Sequence, residues 1–546
     1  MGPDVLHLHT YFLFPFSIDK NAVMEHHGAA WAGKTFFIDG VEEWLAAHQS
    51  PTAAPVAAKL GPWRRGAYTS FDMDSPAYQD MVFFHPVVRR VFFDTAGVSG
   101  SRESLIRVFH IPLEGRTLWF EGEDAKGRSA RLAVTDLRLF IFANGIGILS
   151  LGVEAFGISS ETALWINETM RKVYPSSSRQ LREGRFPSRL ALVLTRDGVD
   201  EVIAEERFEH CGGMIGFSPP LSHTITALLY FLDYQQEEFE PVLDERMIVY
   251  TYSALDPATT PEDYISSEDY EILLSRFLYV DRAGADYRYD RTFIRAQMDR
   301  QLYRRWAHQG TYYGATSYSQ VTVCLGNFDC DEHELSEGFL IHRMFNRRYY
   351  MMAMVALFYR ATLLFFSERT AEVSKVLYLD QQDGKLTVEN IRLANDLRAE
   401  FLHFANHWYF DEMANKEEEI DHFILMCREY RTEIIKHEIE EEVDKLNESL
   451  HNYYQFRNTE AVNRLAMLSL IFGAGAVLTG FFGMNFSREF GRWFFEGDPS
   501  AQWIHYAAVG LVSVLAFGAL AFGAYVVVSN WHDYREILGP RRPRGK

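Results

Sequence analysis

The sequence predicts an α+β domain followed by a long helical stalk and two transmembrane helices. Three observations predict it. Between Ser101 and Tyr252, runs of β-forming residues alternate with turn signals, and helical patterns lie around them. From Val388 to Tyr454 the chain is almost free of Gly and Pro and is rich in Glu, Lys, Leu and Ile. Near the C-terminus two apolar segments, 461–486 and 503–528, flank a short polar loop, and a basic tail follows.

At 546 residues the chain has room for roughly two to four domains. The formal net charge of −20 argues against a nucleic-acid partner and suits solubility or cations. The four cysteines, Cys211, Cys324, Cys330 and Cys427, are too sparse for a disulfide framework and fit a reducing compartment. Cys324-x5-Cys330 with His333 departs from common zinc spacing, so no zinc site is expected there. Met1–Phe16 lacks the basic first region of a secretory signal, and its apolar run Tyr11–Phe16 is short and contains Pro15. Residues 1–387 are therefore expected on the cytoplasmic side, as one α/β domain or as two with a break near 174–188.

The first hundred residues scatter Trp, Phe, His and Pro and predict irregular α/β structure with aromatic packing. Gly28-Ala-Ala-Trp-Ala-Gly33-Lys34-Thr35 matches the P-loop pattern by letter. Its context argues for chance. Lys20–His27 before it is polar and helix-like rather than a buried strand, and Phe36-Phe37-Ile38 then Asp39-Gly40 reads as a strand entering a turn. Leu228–Leu232 before Asp233 merely imitates the partner strand.

From Ser101, strands are expected at Leu105–Ile111, Thr117–Glu121, Arg131–Thr135, Leu137–Phe142 and Ile146–Leu151. Asn144-Gly145 between the last two is a hairpin signal, because both residues tolerate positive φ. Ser159 or Ser160 should cap a helix to about Val173. Tyr174–Ser188 reads as a loop, and Leu190–Thr195 and Met247–Tyr252 as further strands. Pro257–Asp269 is a polar, acidic connection. After Tyr270 the strand signal fades, and Ile272–Val280 and Arg291–His308 read as helices. Tyr349–Phe366 is apolar apart from Arg360. A central Arg is costly in lipid, so a helix buried in protein is expected rather than a span.

In residues 388–460, Ile420, Phe423, Cys427, Tyr430 and Ile434 recur at steps of three and four, as do Val443, Leu446, Leu450 and Tyr453. Such stripes belong to long packed helices. The acidic clusters Glu417-Glu418-Glu419 and Glu438, Glu440, Glu441, Glu442 have two readings, a solvated helix face or a ring of carboxylates that attracts divalent cations.

Leu465–Phe482 carries no charge, and with Val462 and a snorkelling Arg464 it reaches about 20 residues, enough to span. Trp503–Val528 carries only His505 and is long enough to span with tilt. The tail 529–546 holds Arg535, Arg541, Arg542, Arg544 and Lys546 and is expected in the cytoplasm. Two spans then return the N-terminus to that side and leave the loop 487–502 outside. Gly473, Gly475, Ala476, Gly480, Ala519 and Gly523 permit close helix packing. Two helices per chain enclose no water path, so conduction requires a closed ring of copies.

The first span ends in Gly480-Phe-Phe-Gly483-Met484-Asn485-Phe486, then come a short loop, a second span and a basic tail. This order resembles the CorA family of divalent-cation channels and transporters. The motif-level resemblance covers about Val388–Lys546; for residues 1–387 only the order of domain before stalk agrees. The resemblance implies a homopentameric funnel in the plasma (inner) membrane, with both termini cytoplasmic. Gly483, Met484 and Asn485 would form the selectivity loop, where Asn485 meets a hydrated ion. Counting back in helical steps, Gly480, Ala476, Gly473, Ser469, Leu465 and Val462 would line the pore. Leu465 and Val462 would form an apolar constriction, and Thr459 and Asn458 a polar ring at its mouth. Amide and carbonyl oxygens suit Mg2+, which gives up water reluctantly. There are departures: the family often has Met-Pro-Glu soon after Gly-Met-Asn, whereas Ser487-Arg488-Glu489 follows here, with Arg492 beyond, and the usual proline of the first span is absent.

The implied function is passive transport of a divalent cation, most simply Mg2+ uptake gated by the cytoplasmic part. The ion is substrate and possible regulator, no covalent cofactor or catalytic group is expected, and the carboxylates of any cytoplasmic metal site are not identified. The partners are lipid, the ion and further copies of the chain. Two alternatives are a ligand-controlled effector on the same pore scaffold and a membrane-anchored NTPase using Lys34 and Thr35.

Overall fold

A single long strand, β1 (Asp4–Ile18), runs through the middle of the main sheet. In this computed structural model the described residues are 2–27, 40–47, 54–66, 73, 76–94, 104–175, 177–208, 219–243, 246–260, 264, 266–284, 289–326, 337–382, 386–483, and positions 503, 506, 507, 510, 511, 514, 517, 518, 521 and 525. The P-loop-like stretch at 28–35 and Cys211, Cys330 and His333 lie outside them.

The remaining strands are β2 (Arg64–Arg65), β3 (Ile106–His110), β4 (Thr117–Asp124), β5 (Ser129–Phe142), β6 (Ile146–Ser159), β7 (Pro187–Arg196), β8 (Val199–Arg207), β9 (Phe239–Pro241), β10 (Ile248–Leu255), β11 (Leu302–Tyr303), β12 (Tyr312–Ala315) and β13 (Ser319–Leu325). Their order is β11-β12-β13-β10-β1-β6-β5-β4-β7-β8, with β9 on β1 and β2–β3 attached to β5. The β10–β13 pair is parallel, and the other recorded pairs are antiparallel.

β1 corrects the expectation of irregular structure in the first hundred residues. It pairs with β6 from Asp4 to Ser17 and with β10 from Val5 to Leu13. Buried on both faces, it reads as a continuous apolar run rather than an alternation. Pro15 is tolerated because its missing N–H falls in a gap. The β10 partners end at Leu13, and β9 begins pairing only at Phe16. The strand signal also fails to fade after Tyr270, since β12 and β13 form there.

The β5–β6 hairpin forms at Asn144-Gly145 as expected. Gly145 has φ of 96°, whereas Asn144 keeps negative φ. The Asn144 side chain instead accepts from Ile146 N and donates to Thr362 Oγ1 at 2.9 Å. Ser159 caps α1 (Ser160–Thr169), accepting from Thr162 N, and the helix stops four residues before Val173. The loop 174–188 contains a short helix, Ser178–Arg182. Farther on, α2 (Glu268–Tyr279) forms where Ile272–Val280 was expected, starting four residues earlier within the expected polar connection, with Val280 as its left-handed cap. α3 (Arg291–Gln301) is shorter than expected, because the chain turns into β11 and a 3-10 turn at Ala307–Gln309.

Helices cover both faces of the sheet at β1. On one face Thr10 Oγ1 donates to Asn167 Oδ1 of α1 at 2.8 Å. On the other lie α4 (Glu337–Met344), a π turn (Phe345–Tyr349) and α5 (Tyr350–Gln382). Tyr350 donates to Ser150 Oγ at 2.6 Å, and Phe358 stacks on Phe142 with centroids 4.1 Å apart. Residues Tyr350–Tyr359 are essentially inaccessible to solvent. Arg360 lies over the Tyr430 ring and donates to Ser317 O, so its charge is accommodated by protein.

The chain then forms α6 (Val388–His403), α7 (Glu417–Glu429) and α8 (Thr432–Gly483). Contacts divide it into two units, 1–370 with 397–440, and 371–396 with 441–546. In the second unit Gln381 donates to Ser449 and Leu386 N to the Tyr453 hydroxyl, with Val373, Leu377, Val443 and Leu450 buried.

Candidate functional site

The candidate conduction element is the C-terminal half of α8. It begins among charges that are used locally. Glu460 accepts from Arg464 at 2.6 Å and from Arg457 at 3.5 Å, one helical turn to either side. Beyond Arg464 no charged residue occurs before Gly483. The helix is unbroken to Gly483, so Val462 to Gly483 rises about 32 Å at the standard 1.5 Å per residue.

Val462, Leu465, Ser469, Gly473, Ala476, Gly480 and Gly483 follow one another at steps of three and four, which places them along one stripe of α8. In the single chain the first six are exposed, Leu465 at 64%. Leu468, Leu470 and Phe472 are exposed beside them, Phe472 at 72%. A Cβ added at Gly473, Gly475 or Gly480 meets nothing within 4 Å. Asn458 and Thr459 are also exposed, and Thr459 Oγ1 donates back to Gln455 O at 2.8 Å. Met484 and Asn485, the loop 487–502 and the tail 529–546 lie outside the described residues. The described positions between 503 and 525 are helical and exposed.

Among the described residues one helical stretch, Ile341–Gln382, is long and apolar enough to cross a membrane, and 78% of its most apolar window is buried in the protein. That stretch contains Tyr349–Phe366, which was expected as a buried helix.

The acidic clusters separate. Glu438, Glu440, Glu441 and Glu442 are exposed on α8, with Glu441 accepting from Lys445. Glu417-Glu418-Glu419 form the first turn of α7, where the helix dipole favours carboxylates. Neither a solvated face nor a cation-attracting ring describes Glu418 and Glu419. Glu419 is 3% exposed and accepts from Arg348 Nη1 at 2.6 Å. Glu418 accepts from Trp306 Nε1 and the Tyr349 hydroxyl. The expected stripe through Ile434 also breaks. Arg431, with φ of 56°, separates α7 from α8, so Ile434 falls out of phase and is half exposed.

Among the described residues, sequence reading missed one group of side chains placed so that they could hold a metal ion, His7, His9, Glu154 and His342 of the first unit. The only local signal was His-x-His on what proves to be a strand. Glu154 and His342 are remote in sequence.

Residues 395–523 match the model of the family described as CorA-like Mg2+ transporter protein, which supports membership of the CorA-type family. A comparison with curated proteins returns no match.

Proposed function

We propose that this chain, with its CorA-type segment at residues 395–523, is a passive divalent-cation channel or transporter driven by the membrane potential, most simply for Mg2+ uptake. One observation carries the reading. α8 ends in an uncharged helical stretch about as long as the hydrocarbon core is thick, roughly 30 Å, and exposes large apolar side chains along it. Surface of this kind requires lipid or neighbouring helices.

In this reading five copies form a ring, with the stripe from Val462 to Gly483 facing the axis. Gly483, Met484 and Asn485 form the outer filter. Amide and carbonyl oxygens there hold a hydrated ion without trapping it as a ring of carboxylates would. Val462 and Leu465 form the apolar barrier near the cytoplasmic end, with Asn458 and Thr459 at its mouth. Residues 503–528 form the second span, 529–546 return to the cytoplasm, and the N-terminal domain gates the pore. A divalent ion moving inward gains about 4.6 kcal/mol per 100 mV, so no ATP is required, and the chain is read as not an enzyme.

Leu465→Asn tests the barrier. A polar ring should wet the constriction and raise Mg2+ flux into proteoliposomes, above all when internal Mg2+ is high. Flux and inhibition identical to the parent would remove Leu465 from the pore.

A second reading, a ligand-controlled effector on the same scaffold, is favoured by a cavity of about 370 Å³ in the first unit. Arg171, Lys172, Arg179, Arg185 and Arg246 line it together with acidic residues. Arg171 Nε and Nη1 are buried there without hydrogen-bond partners. A thermal-shift screen of the full chain against phosphate and nucleotides decides it. A melting temperature moved only by divalent cations argues against an anionic ligand.

A further inference from the structure

His7 and His9 are two residues apart on β1, so the pleat turns both toward the α4 side of the sheet. Glu154 stands opposite His9 in the β1–β6 register, and α4 brings His342 to the same place. His9 Nδ1 lies 2.9 Å from His342 Nε2 and 3.1 Å from Glu154 Oε1. His7 Nε2 lies 3.4 Å and His342 Nε2 3.9 Å from the same oxygen. One ligand atom from each of the four side chains falls within 4.8 Å of all the others.

We propose that His7, His9, Glu154 and His342 form a four-coordinate binding site for a zinc-class transition-metal dication, distinct from the transported ion's path. The separations fit. Tetrahedral ligands at 2.0–2.1 Å from a zinc ion stand about 3.4 Å apart, and the measured distances lie on both sides of that value. The donor set fits as well. Three imidazoles and one carboxylate suit Zn2+, Co2+ or Ni2+, whereas Mg2+ takes an octahedron of oxygens and water.

One further observation separates this group from an ordinary buried histidine pair. His7 Nε2, directed at Glu154, is inaccessible to solvent and makes no hydrogen bond. Access is available from one side. The His9 side chain is enclosed, while those of His7, Glu154 and His342 keep 14–18% of their surface exposed. Around them stand the rings of Phe156, Tyr252 and Phe345, an apolar wall that strengthens charge–ligand interactions inside it.

The test is a Co2+ titration of the full-length chain, purified in detergent and stripped of metal. The expected result is one Co2+ per chain with the intense visible absorption of a four-coordinate ion, abolished by Zn2+ and unaffected by a large excess of Mg2+. Glu154→Gln and His342→Gln should each weaken Co2+ binding by more than the 10–100-fold typical of losing an outer-shell partner. Both should leave the metal-free melting curve in place. The proposal is overturned if wild type shows only the weak absorption of a six-coordinate hydrated ion, as expected of an ion in the pore, or if the intense band survives in both variants. If either variant fails to fold, X-ray absorption of the zinc-loaded wild type decides: three imidazoles and one oxygen support the site, and fewer than two imidazoles reject it. The site lies wholly in the first unit, so an absence of ion flux leaves this result unchanged.

Discussion

Glu419→Leu measures whether the acidic start of α7 serves the fold or the ion. Glu419 is buried and accepts from Arg348 Nη1. The Arg348 guanidinium also lies 3.7 Å from the centroid of the Phe83 ring and 3.6 Å from Asp80 Oδ1. Removing one member of a buried pair strands the other charge and costs about 3–5 kcal/mol. Asp80 remains beside Arg348 and takes up part of that charge, so the lower end, about 3 kcal/mol, is expected. Burial raises the Asp80 carboxyl despite the nearby arginines, so Asp80 can accept a proton when Arg348 is removed. The double variant Arg348→Met/Glu419→Leu replaces the pair with apolar atoms of similar size and should recover most of the loss. The assay is urea unfolding of the full chain in micelles for both single variants and the double. A Glu419→Leu chain as stable as the parent refutes the structural assignment, as does one that loses divalent-cation sensitivity with its stability intact.

Gly147→Ala places a Cβ 2.2 Å from Phe16 Cζ, one pair from the hairpin end of the β1–β6 pairing, and should cost about 1–3 kcal/mol or more, read as a lower urea midpoint. Asn144→Ala removes the donor to Thr362 Oγ1 and should cost about 1 kcal/mol in the same assay. His422 is enclosed by the rings of Tyr303, Tyr313 and Tyr349, and burial lowers it to about 3. Because the folded state holds this histidine neutral while the unfolded state takes a proton below about 6.5, stability is lost as pH falls from there toward 3, by up to about 1.4 kcal/mol per unit. His422→Phe should flatten the decline of melting temperature with acid over that window, and a parallel decline in both proteins would contradict the assignment.

The elements legible in the sequence were those with a local cause. Asn144-Gly145 marks its hairpin, Ser159 supplies its own cap, and the run through Tyr350–Tyr359 is apolar because nothing but protein surrounds it. β1 was hidden for the opposite reason. A strand buried on both faces loses its alternation, and Pro15 reads as a break until the gap between β10 and β9 is known. β8 was hidden by charge: its Glu205 pairs both with Arg207 of the same strand and with Arg189 of β7. The stripe on α8 could be counted from its periodicity. The fate of Glu418 and Glu419 could not, because their partners Trp306, Arg348 and Tyr349 lie more than sixty residues away. The same distance in sequence concealed the four-residue cluster at His9.

The most direct measurement of the central claim is ion-resolved flux into proteoliposomes at a set membrane potential, with Mg2+, Co2+, Ni2+, Zn2+ and Na+ compared in the parent and in Asn485→Ala. The account predicts inward divalent flux that rises as the interior is made more negative, proceeds without ATP, and changes in rate or ion preference in Asn485→Ala. Absence of potential-dependent divalent flux, or flux indifferent to the Asn485 substitution, would contradict it.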